Sequence, residues 1–247
     1  MKPEELQKLY GDNAARMGCF EGEDESSNRF KKLAALMEAH REPCKVLDVG
    51  CASGTLLKPY TQKHTVIGID ISIALAQEAL RNGYREVTEV DVSTQPLPFA
   101  DKSFDVVFCG ECIEHIVDTD FVFCEINRVL KPGGQFIVTF PNIRTPMSVL
   151  MMLFFNLPPM LSARYRSCHV RDFTTGTMRL ALKNGGFRIE SMQGSDFFFH
   201  KIGHFLPGLA THLPSWACTV VVSAYKDRDA AYSVEAVADH LIFKDRA

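Results

Sequence analysis

Residues 45–54, which read KVLDVGCASG, decide the fold class of this chain. The first five residues form a short apolar run with β-branched side chains, which is typical of a buried strand. Gly50 and Gly54 follow and predict a tight turn that leads into a helix over Leu56–Gln62. A strand, a glycine-containing turn and a helix in this order are typical of the first unit of a Rossmann-like sheet.

The same alternation continues along the chain. Most of the strand-like runs are almost wholly apolar, which indicates a mostly parallel sheet that is covered on both faces. The sequence therefore predicts a doubly wound, Rossmann-like α/β fold with a seven-stranded, mostly parallel sheet and helices on both faces. The predicted strands are Lys45–Val49, Thr65–Ile69, Glu86–Val90, Phe104–Cys109, Gln135–Phe140, Phe187–Ser191 and Cys218–Ala224. The predicted helices are Arg29–Ala39, Leu56–Gln62, Ile73–Asn82, Cys112–Ile116, Asp120–Leu130 and Thr175–Asn184.

The composition excludes several classes of protein. The 247 residues carry 27 Lys+Arg against 30 Asp+Glu, which gives a formal net charge of −3 and does not favour a basic groove, so no DNA partner is expected. Residues 1–18 lack an apolar segment after the first Lys, which predicts no secretory signal and a cytoplasmic location. The longest apolar stretch, Met147–Leu161, is interrupted by prolines and is shorter than the ~20 residues of a transmembrane helix.

The residues that follow the strands form the candidate site, because doubly wound sheets bind ligands beyond the carboxyl ends of their strands. Gly50 and Gly54 would let backbone amides of their loop approach a ligand closely. The dinucleotide fingerprint would need glycines where Ala52 and Thr55 stand, and no P-loop pattern follows a strand. A nucleotide with an extended phosphate chain is therefore disfavoured.

Two acidic residues close neighbouring strands. Asp70 lies 22 residues beyond Asp48, near the offset at which an acidic residue accepts hydrogen bonds from both ribose hydroxyls. Its carboxylate would repel a phosphate, so the ribose is expected to be unphosphorylated. Asp91 could accept a hydrogen bond from an adenine amine, with Ile71 and Val92 forming an apolar slot for the ring. The alternatives are that Asp70 only caps the next helix and that Asp91 only opens a turn.

Together these motifs resemble the class I S-adenosylmethionine-dependent methyltransferases, specifically the methyltransferase type 11 group. The resemblance is carried by DVGCASG at 48–54, GIDIS at 68–72, the stretch from DVSTQPLPF to CGECIEH at 91–115, and INRVLKPGGQFIVTFPN at 126–142. It runs from about residue 45 to residue 142 and resumes weakly at 173–187. One departure is Ala52, where the family usually has glycine.

The resemblance implies that S-adenosylmethionine is the cofactor and S-adenosylhomocysteine its product. It also implies one methyltransferase domain over residues 1–247, with an N-terminal helical cap (1–42), a cofactor-binding core (43–142) and two lid segments over the acceptor (143–172 and 194–216). The residues that it places around the cofactor all belong to strand ends or the loops after them. They are Gly50, Cys51 and Gly54 for the methionine part, Asp70 for the ribose, Ile71 and Val92 for the adenine faces, Asp91 for the adenine amine, Cys109 through its carbonyl for the amino group, and Asp48 as a brace of the glycine loop or a water-mediated partner of the ammonium.

The segment Glu111–His115 follows the fourth strand, beside the expected position of the methyl group. An oxygen or nitrogen acceptor must lose a proton, so His115 and Glu111 are the predicted catalytic bases. The spacing also resembles the Glu-x-x-Glu-His that holds a divalent cation in ubiquinone-biosynthesis O-methyltransferases and small-RNA 3′-terminal 2′-O-methyltransferases, with His169 as a conceivable further ligand. A structural role for the Glu-His pair is the third alternative, and a metal is not the favoured one.

The favoured function is methyl transfer from S-adenosylmethionine to a small-molecule acceptor, with a hydroxyl as the preferred acceptor group. The apolar lid 143–172 predicts either an apolar acceptor or helices that seal the site, and Arg164, Arg166, His169 and Arg171 could grip an acidic group on the acceptor. Two alternatives stay open: methylation of an RNA end, and a cofactor-binding regulatory module without turnover. The sequence does not indicate an oligomeric state.

Overall fold

The computed structural model describes residues 27–156, 169–199 and 203–232. Helices and strands alternate in it as the sequence predicts. The strands are β1 Lys45–Val49, β2 Thr65–Asp70, β3 Glu86–Glu89, β4 Phe104–Gly110, β5 Leu130–Pro141, β6 Phe187–Gly194, β7 Phe197–Phe199, β8 Gly203–Phe205 and β9 Thr219–Lys226. The α-helices are α1 Asn28–Glu38, α2 Ile73–Arg81, α3 Thr119–Val129, α4 Pro146–Phe155, α5 Thr175–Asn184 and α6 Pro207–His212.

Seven of these strands form one sheet in the order β3-β2-β1-β4-β5-β9-β6. The first five strands of that order pair in parallel, whereas β9 runs antiparallel to both β5 and β6. The strand order reverses at β1, which lies between β2 and β4, and this reversal marks the ligand-binding edge of a doubly wound sheet. The predicted doubly wound fold is therefore confirmed. Strands β7 and β8 form a separate antiparallel pair.

The hydrophobic core lies on both faces of the sheet. On one face, α1 and α2 pack over the sheet residues Val106 and Ile137. Helix α1 does so because Phe30, Leu33 and Met37 recur at helical spacing and are all buried. On the other face, α3 and α5 cover a larger cluster that includes five fully buried phenylalanines or valines of β4 and β5: Phe104, Val107, Phe136, Val138 and Phe140.

Two predicted helices are shorter in the structure than in the sequence-based expectation. Instead of a helix over Leu56–Gln62, the chain forms turns and one 3₁₀ turn at Lys58–Tyr60. Pro59 has no N–H to donate, so it favours the first turn of a helix and cannot extend a helix that begins before it. The predicted helix Cys112–Ile116 is likewise a single 3₁₀ turn, Ile113–His115. Five residues give too few hydrogen bonds to offset the cost of helix nucleation.

None of the helices in the described ranges has the length and apolar character that a bilayer-spanning segment needs.

Candidate functional site

The loops that follow β1, β2 and β4 touch one another at the carboxyl edge of the sheet. The N–H of Ala52 donates to Asp70 Oδ2 at 2.9 Å, which joins the first loop to the end of β2. A Cβ atom at Gly50 would lie 2.5 Å from Cys112 Sγ, so the loop after β4 packs against a position that only glycine fits. Asp91 lies two residues beyond the end of β3, the strand that pairs with β2. These strand ends therefore meet at one edge of the sheet, as expected.

The backbone amides of the glycine loop, residues 50–54, are mostly bonded inside the protein. Gly50 and Cys51 donate to the Ile69 carbonyl at 2.8 and 3.0 Å, and Gly54 donates to the Cys51 carbonyl at 2.8 Å. With the bond from Ala52, four of the five N–H groups have protein partners. A phosphate-binding loop needs such groups free and a helix N-terminus behind them. Four occupied amides do not favour phosphate binding by this loop, and the predicted contacts of Gly50, Cys51 and Gly54 with a cofactor stay predictions.

The backbone of this loop is held in the left-handed region at three positions. Gly50 and Gly54 have φ values of 73° and 74°, and Ala52 has a φ of 44°. An ordinary side chain costs about 1–2 kcal/mol in this region, so Ala52 is a strained position in the place where the family usually has glycine.

Asp48 lies below this loop and is almost fully buried. It accepts a hydrogen bond from Tyr84 Oη at 2.5 Å, and a Cβ at Gly54 would lie 2.7 Å from the ring of the same tyrosine. Burial raises the pKa of Asp48 to about 7, although the bond from Tyr84 lowers it, and the charge of Asp70 raises it further. Asp48 therefore braces the loop through Tyr84. No local sequence pattern points to this tyrosine, because the contact joins residues 36 positions apart.

We expect this buried carboxyl to make stability depend on pH. Its pKa lies near 7 in the folded protein against 3.8 normally, so its contribution to the free energy of unfolding is largest below about pH 4 and is lost as the pH rises to 7. Asp48→Asn keeps an acceptor for Tyr84 and removes the titration. In urea unfolding between pH 4 and 8, the free energy of unfolding should depend less on pH in Asp48→Asn than in the wild type. The exposed control Asp227→Asn should show the same pH dependence as the wild type. Equal slopes in Asp48→Asn and the wild type would contradict this role.

Asp70 supports its surroundings with both carboxylate oxygens. Oδ2 accepts from Ala52 N and Oδ1 accepts from Ser72 N at 2.8 Å, so the capping alternative is partly present. Burial raises the pKa of Asp70, and the bonds from the backbone amides counteract this shift. Each oxygen of a carboxylate can accept more than one hydrogen bond. Asp70 can therefore hold the loop and still accept hydrogen bonds from a ribose.

Asp91 opens a turn, as one alternative predicted. Its Oδ1 accepts from Ser93 N at 3.0 Å and its Oδ2 accepts from Thr94 Oγ1 at 2.9 Å. Ile71 and Val92 are both half-buried at the same edge, and Val92 packs against the core. The predicted contacts of these three residues with an adenine ring are compatible with this placement and stay predictions.

The cysteines of the candidate site are enclosed rather than exposed. Cys51 and Cys109 are buried, and burial raises the pKa of the Cys51 thiol. A side-chain hydrogen bond with Cys112 and burial raise the pKa of Cys109. Neutral, buried thiols are poor nucleophiles, so any role of Cys109 falls to its carbonyl, as the resemblance implies.

Glu111 is ion-paired in the structure. Its Oε1 lies 2.9 Å from Arg29 Nη1 of helix α1 and accepts a hydrogen bond from Thr139 Oγ1 at 3.0 Å. Both contacts engage the same carboxylate oxygen of Glu111. The predicted role of Glu111 as a base stays a prediction. Nothing in the sequence pointed to Arg29, which comes from a helix far away along the chain.

The rest of that segment forms a cluster with a residue from beyond β5. Glu114 is buried, its Oε1 lies 4.0 Å from His115 Nε2 and 3.9 Å from His169 Nε2, and the two imidazole rings meet edge to face with centroids 4.8 Å apart. The Glu114 carbonyl also accepts hydrogen bonds from the backbone of Val170 and Arg171. The side chain of His115 is 29% exposed, so it is the member of the cluster that an incoming molecule reaches most easily.

This cluster has two chemical uses. Burial and the charge of Glu111 raise the pKa of Glu114, and burial lowers the pKa of His169, so both groups tend to be neutral. The ligand atoms of Glu114, His115 and His169 lie within 4.8 Å of one another, so these residues could hold a divalent cation. Glu111, the first residue of the Glu-x-x-Glu-His spacing, is not part of this group. The alternative is proton acceptance by His115.

The predicted lid segments are described in part. Helix α4 of segment 143–172 leaves Leu153, Phe154 and Phe155 about 70% exposed. Arg164 and Arg166 lie outside the described residues, and Arg171 donates to the Val117 carbonyl. Segment 194–216 contains β7, β8 and α6. The covering role of both segments stays a prediction.

Comparison with known proteins shows which family this architecture matches. Residues 47–138 match the model of a methyltransferase domain family. The ubiquinone biosynthesis O-methyltransferase of Pseudomonas entomophila (strain L48) is 37% identical over 118 residues, which are 44% of this chain and 49% of that protein. The demethylmenaquinone methyltransferase of Tropheryma whipplei (strain Twist) is 33% identical over 120 residues, 43% of this chain and 50% of that protein.

The fold is shared with solved structures. An S-adenosylmethionine-dependent methyltransferase from Mesorhizobium loti superposes with a TM-score of 0.58 at 18% identity, over 81% of this chain and 99% of that one. At this identity the likeness shows the fold alone. The chain spans about half the length of the curated relatives that it matches.

Proposed function

We propose that this chain transfers a methyl group from S-adenosylmethionine to a small-molecule acceptor, because residues 47–138 match the model of a methyltransferase domain family. The observation that supports this proposal most is that Asp70, at the end of β2, holds the loop after β1. Its carboxylate fixes the glycine loop and keeps capacity for a ribose. Most amides of that loop already donate to acceptors inside the protein, which suits a ligand without phosphates.

The protein's task in this reaction is mainly positioning. When bound, S-adenosylmethionine supplies a methyl group on a sulfonium, which already has a neutral leaving group. Asp70 would orient the ribose, Asp91 would accept from the adenine amine between Ile71 and Val92, and the loop with Gly50 would hold the methionine part. Fixing the acceptor in line with the carbon–sulfur bond and excluding water then supply most of the rate enhancement.

We assign proton acceptance to His115. Glu111 is paired with Arg29, and Glu114 is buried, whereas His115 is partly exposed and follows β4 directly. A hydroxyl acceptor would give its proton to the imidazole as the oxygen–methyl bond forms and the carbon–sulfur bond breaks. His169 packs against the ring and restricts its orientation.

A small molecule with a hydroxyl is the proposed acceptor. The relatives named above act in ubiquinone biosynthesis and on demethylmenaquinone, and neither name specifies a nucleic acid. The formal net charge of −3 also disfavours an RNA end. A regulatory module without turnover would bind S-adenosylhomocysteine yet form no product with any of a broad panel of phenols, alcohols and acids, which is the assay that separates it from an enzyme.

The binding role of Asp70 has a direct test. Asp70→Ala should weaken the binding of S-adenosylhomocysteine in calorimetry by about 1–3 kcal/mol, about 5- to 150-fold in Kd, because a pair of charge-assisted hydrogen bonds is lost. Asp70→Asn keeps one acceptor oxygen, so its affinity for S-adenosylhomocysteine should lie between those of the wild type and Asp70→Ala. Asp227→Ala serves as the control for a lost surface charge. Unchanged affinity in a folded Asp70→Ala would count against the proposed ribose site.

A further inference from the structure

A cavity of about 410 Å³ lies on the face of the sheet that α1 covers. One stripe of α1, one side of α6 and the floor formed by β6 and β9 enclose it, and its lining includes Lys31, Lys32, Leu36, Gln193, Gly208 and Thr211. The volume falls within the roughly 300–1,000 Å³ that is usual for small-molecule sites. Among the residues that the structure describes, the lining combines aliphatic side chains with two lysines and includes no carboxylate.

Lys32 is the feature that defines the chemistry of this cavity. Its half-buried ammonium donates to Thr211 Oγ1 at 2.7 Å and to Gln193 Oε1 at 3.3 Å, and both acceptors are neutral. In the part of the chain that the structure describes, no carboxylate pairs with it. Burial accordingly lowers the pKa of Lys32. A cation with neutral partners and one further N–H is suited to an anionic oxygen.

The cavity lies on the sheet face that leads to the segment after β4. Gln193, Val221 and Thr139 are directly paired across β6, β9 and β5, so their side chains share one face of the sheet. Two strand spacings separate Gln193 from Thr139, which is about 10 Å. Thr139 in turn bonds to Glu111, the start of the segment that contains His115.

We propose that this cavity binds a carboxylate or phosphate group of the methyl acceptor, with Lys32 as the counter-ion and Lys31 as a second positive charge. The aliphatic lining, including Leu36 and Val221, would contact the body of the molecule. The acceptor is then an organic acid or a phosphate ester rather than a neutral molecule. The identity of this ligand as the acceptor rests on the proposed function, whereas the binding of an anion does not.

Titration calorimetry with phenyl phosphate at constant ionic strength tests the cavity. We expect the wild type to bind phenyl phosphate at one site. Phenol, which lacks the charge, should bind at least about tenfold more weakly than phenyl phosphate. Lys32→Met should weaken phenyl phosphate binding at least about tenfold, and Lys32→Arg should retain most of it. Lys183→Met, which removes an exposed lysine from α5 on the opposite face, should change nothing.

A steric variant keeps the charge and closes the space. A Cβ at Gly208 would meet no atom within 4 Å, so Gly208→Leu is compatible with the fold and should weaken phenyl phosphate binding as well. No binding of phenyl phosphate by the wild type, or equal binding by Lys32→Met, would overturn the proposal. S-adenosylhomocysteine is titrated in parallel, and its affinity should be the same in Lys32→Met. Binding of phenyl phosphate without binding of S-adenosylhomocysteine would instead refute the proposed function, and with it the assignment of the anion to an acceptor.

Discussion

Replacement of His115 by alanine is expected to lower the rate of methyl transfer about 10²- to 10⁴-fold, because the acceptor loses the group that takes its proton. The affinity for S-adenosylhomocysteine should stay unchanged, since His115 belongs to the loop after β4 and not to the proposed contacts of the ribose or adenine. The measurement is a single-turnover assay with an acceptor that the wild type methylates. The variant should also lose the fall in rate at low pH that protonation of the base produces in the wild type.

Three controls define what this result means. His40→Ala removes a histidine that bonds to Gln135 at the opposite edge of the sheet and should leave the rate unchanged. Glu111→Gln distinguishes between the two predicted bases. It should lower the rate of methyl transfer much less than His115→Ala does. An unchanged rate in His115→Ala would refute the proposed base. Loss of activity after EDTA treatment that Mn²⁺ restores would refute it too, since His115 would then act as a metal ligand with Glu114 and His169.

Gly54→Ala is expected to lower the free energy of unfolding by about 2–5 kcal/mol. The added Cβ would lie 2.7 Å from Ala79 Cβ and 2.7 Å from the ring of Tyr84, and neither neighbour can move freely. Overpacking of this kind costs about 1–3 kcal/mol. The φ of 74° adds the cost of placing a side chain in the left-handed region, about 1–2 kcal/mol. Urea unfolding monitored by fluorescence and circular dichroism measures the sum of these two contributions to the free energy of unfolding.

Gly133→Ala is a matched control for the backbone contribution. Gly133 has nearly the same φ, 70°, but a Cβ there would meet nothing within 4 Å. We therefore expect a loss of only about 1–2 kcal/mol at this position. The difference between the two variants measures how tightly the glycine loop packs against α2 and Tyr84. Equal losses would mean that the loop can relax, which would contradict the packing described here.

The seven strands of the main sheet and the edge that carries the candidate site followed from the sequence, because their signals are local, whereas the pair β7–β8 was not predicted. Apolar, β-branched runs bounded by glycine form strands almost wherever they occur, and the alternation with helices requires a parallel sheet. The parallel sheet in turn brings Gly50, Asp70 and Asp91 to one edge. The prediction of a helix after the glycine loop was wrong, because a single proline outweighed the apolar pattern around it.

The contacts that tune the site could not be predicted, because they join distant segments. The pairing of Arg29 with Glu111 depends on how α1 docks on the sheet, and no local pattern encodes that docking. The bond from Tyr84 to Asp48 likewise forms only after β2, β3 and the glycine loop have assembled. Sequence periodicity identifies which face of an element is buried, but not which polar partner it meets there.

If the ends of β1, β2 and β3 bind one adenosyl sulfonium, a crystal structure of the protein with S-adenosylhomocysteine will show it. We expect the ribose hydroxyls within hydrogen-bond distance of the Asp70 carboxylate and the adenine between Ile71 and Val92, with the sulfur pointing toward the segment that contains His115. An adenosine bound away from Asp70, or with its sulfur directed away from the loop after β4, would contradict it.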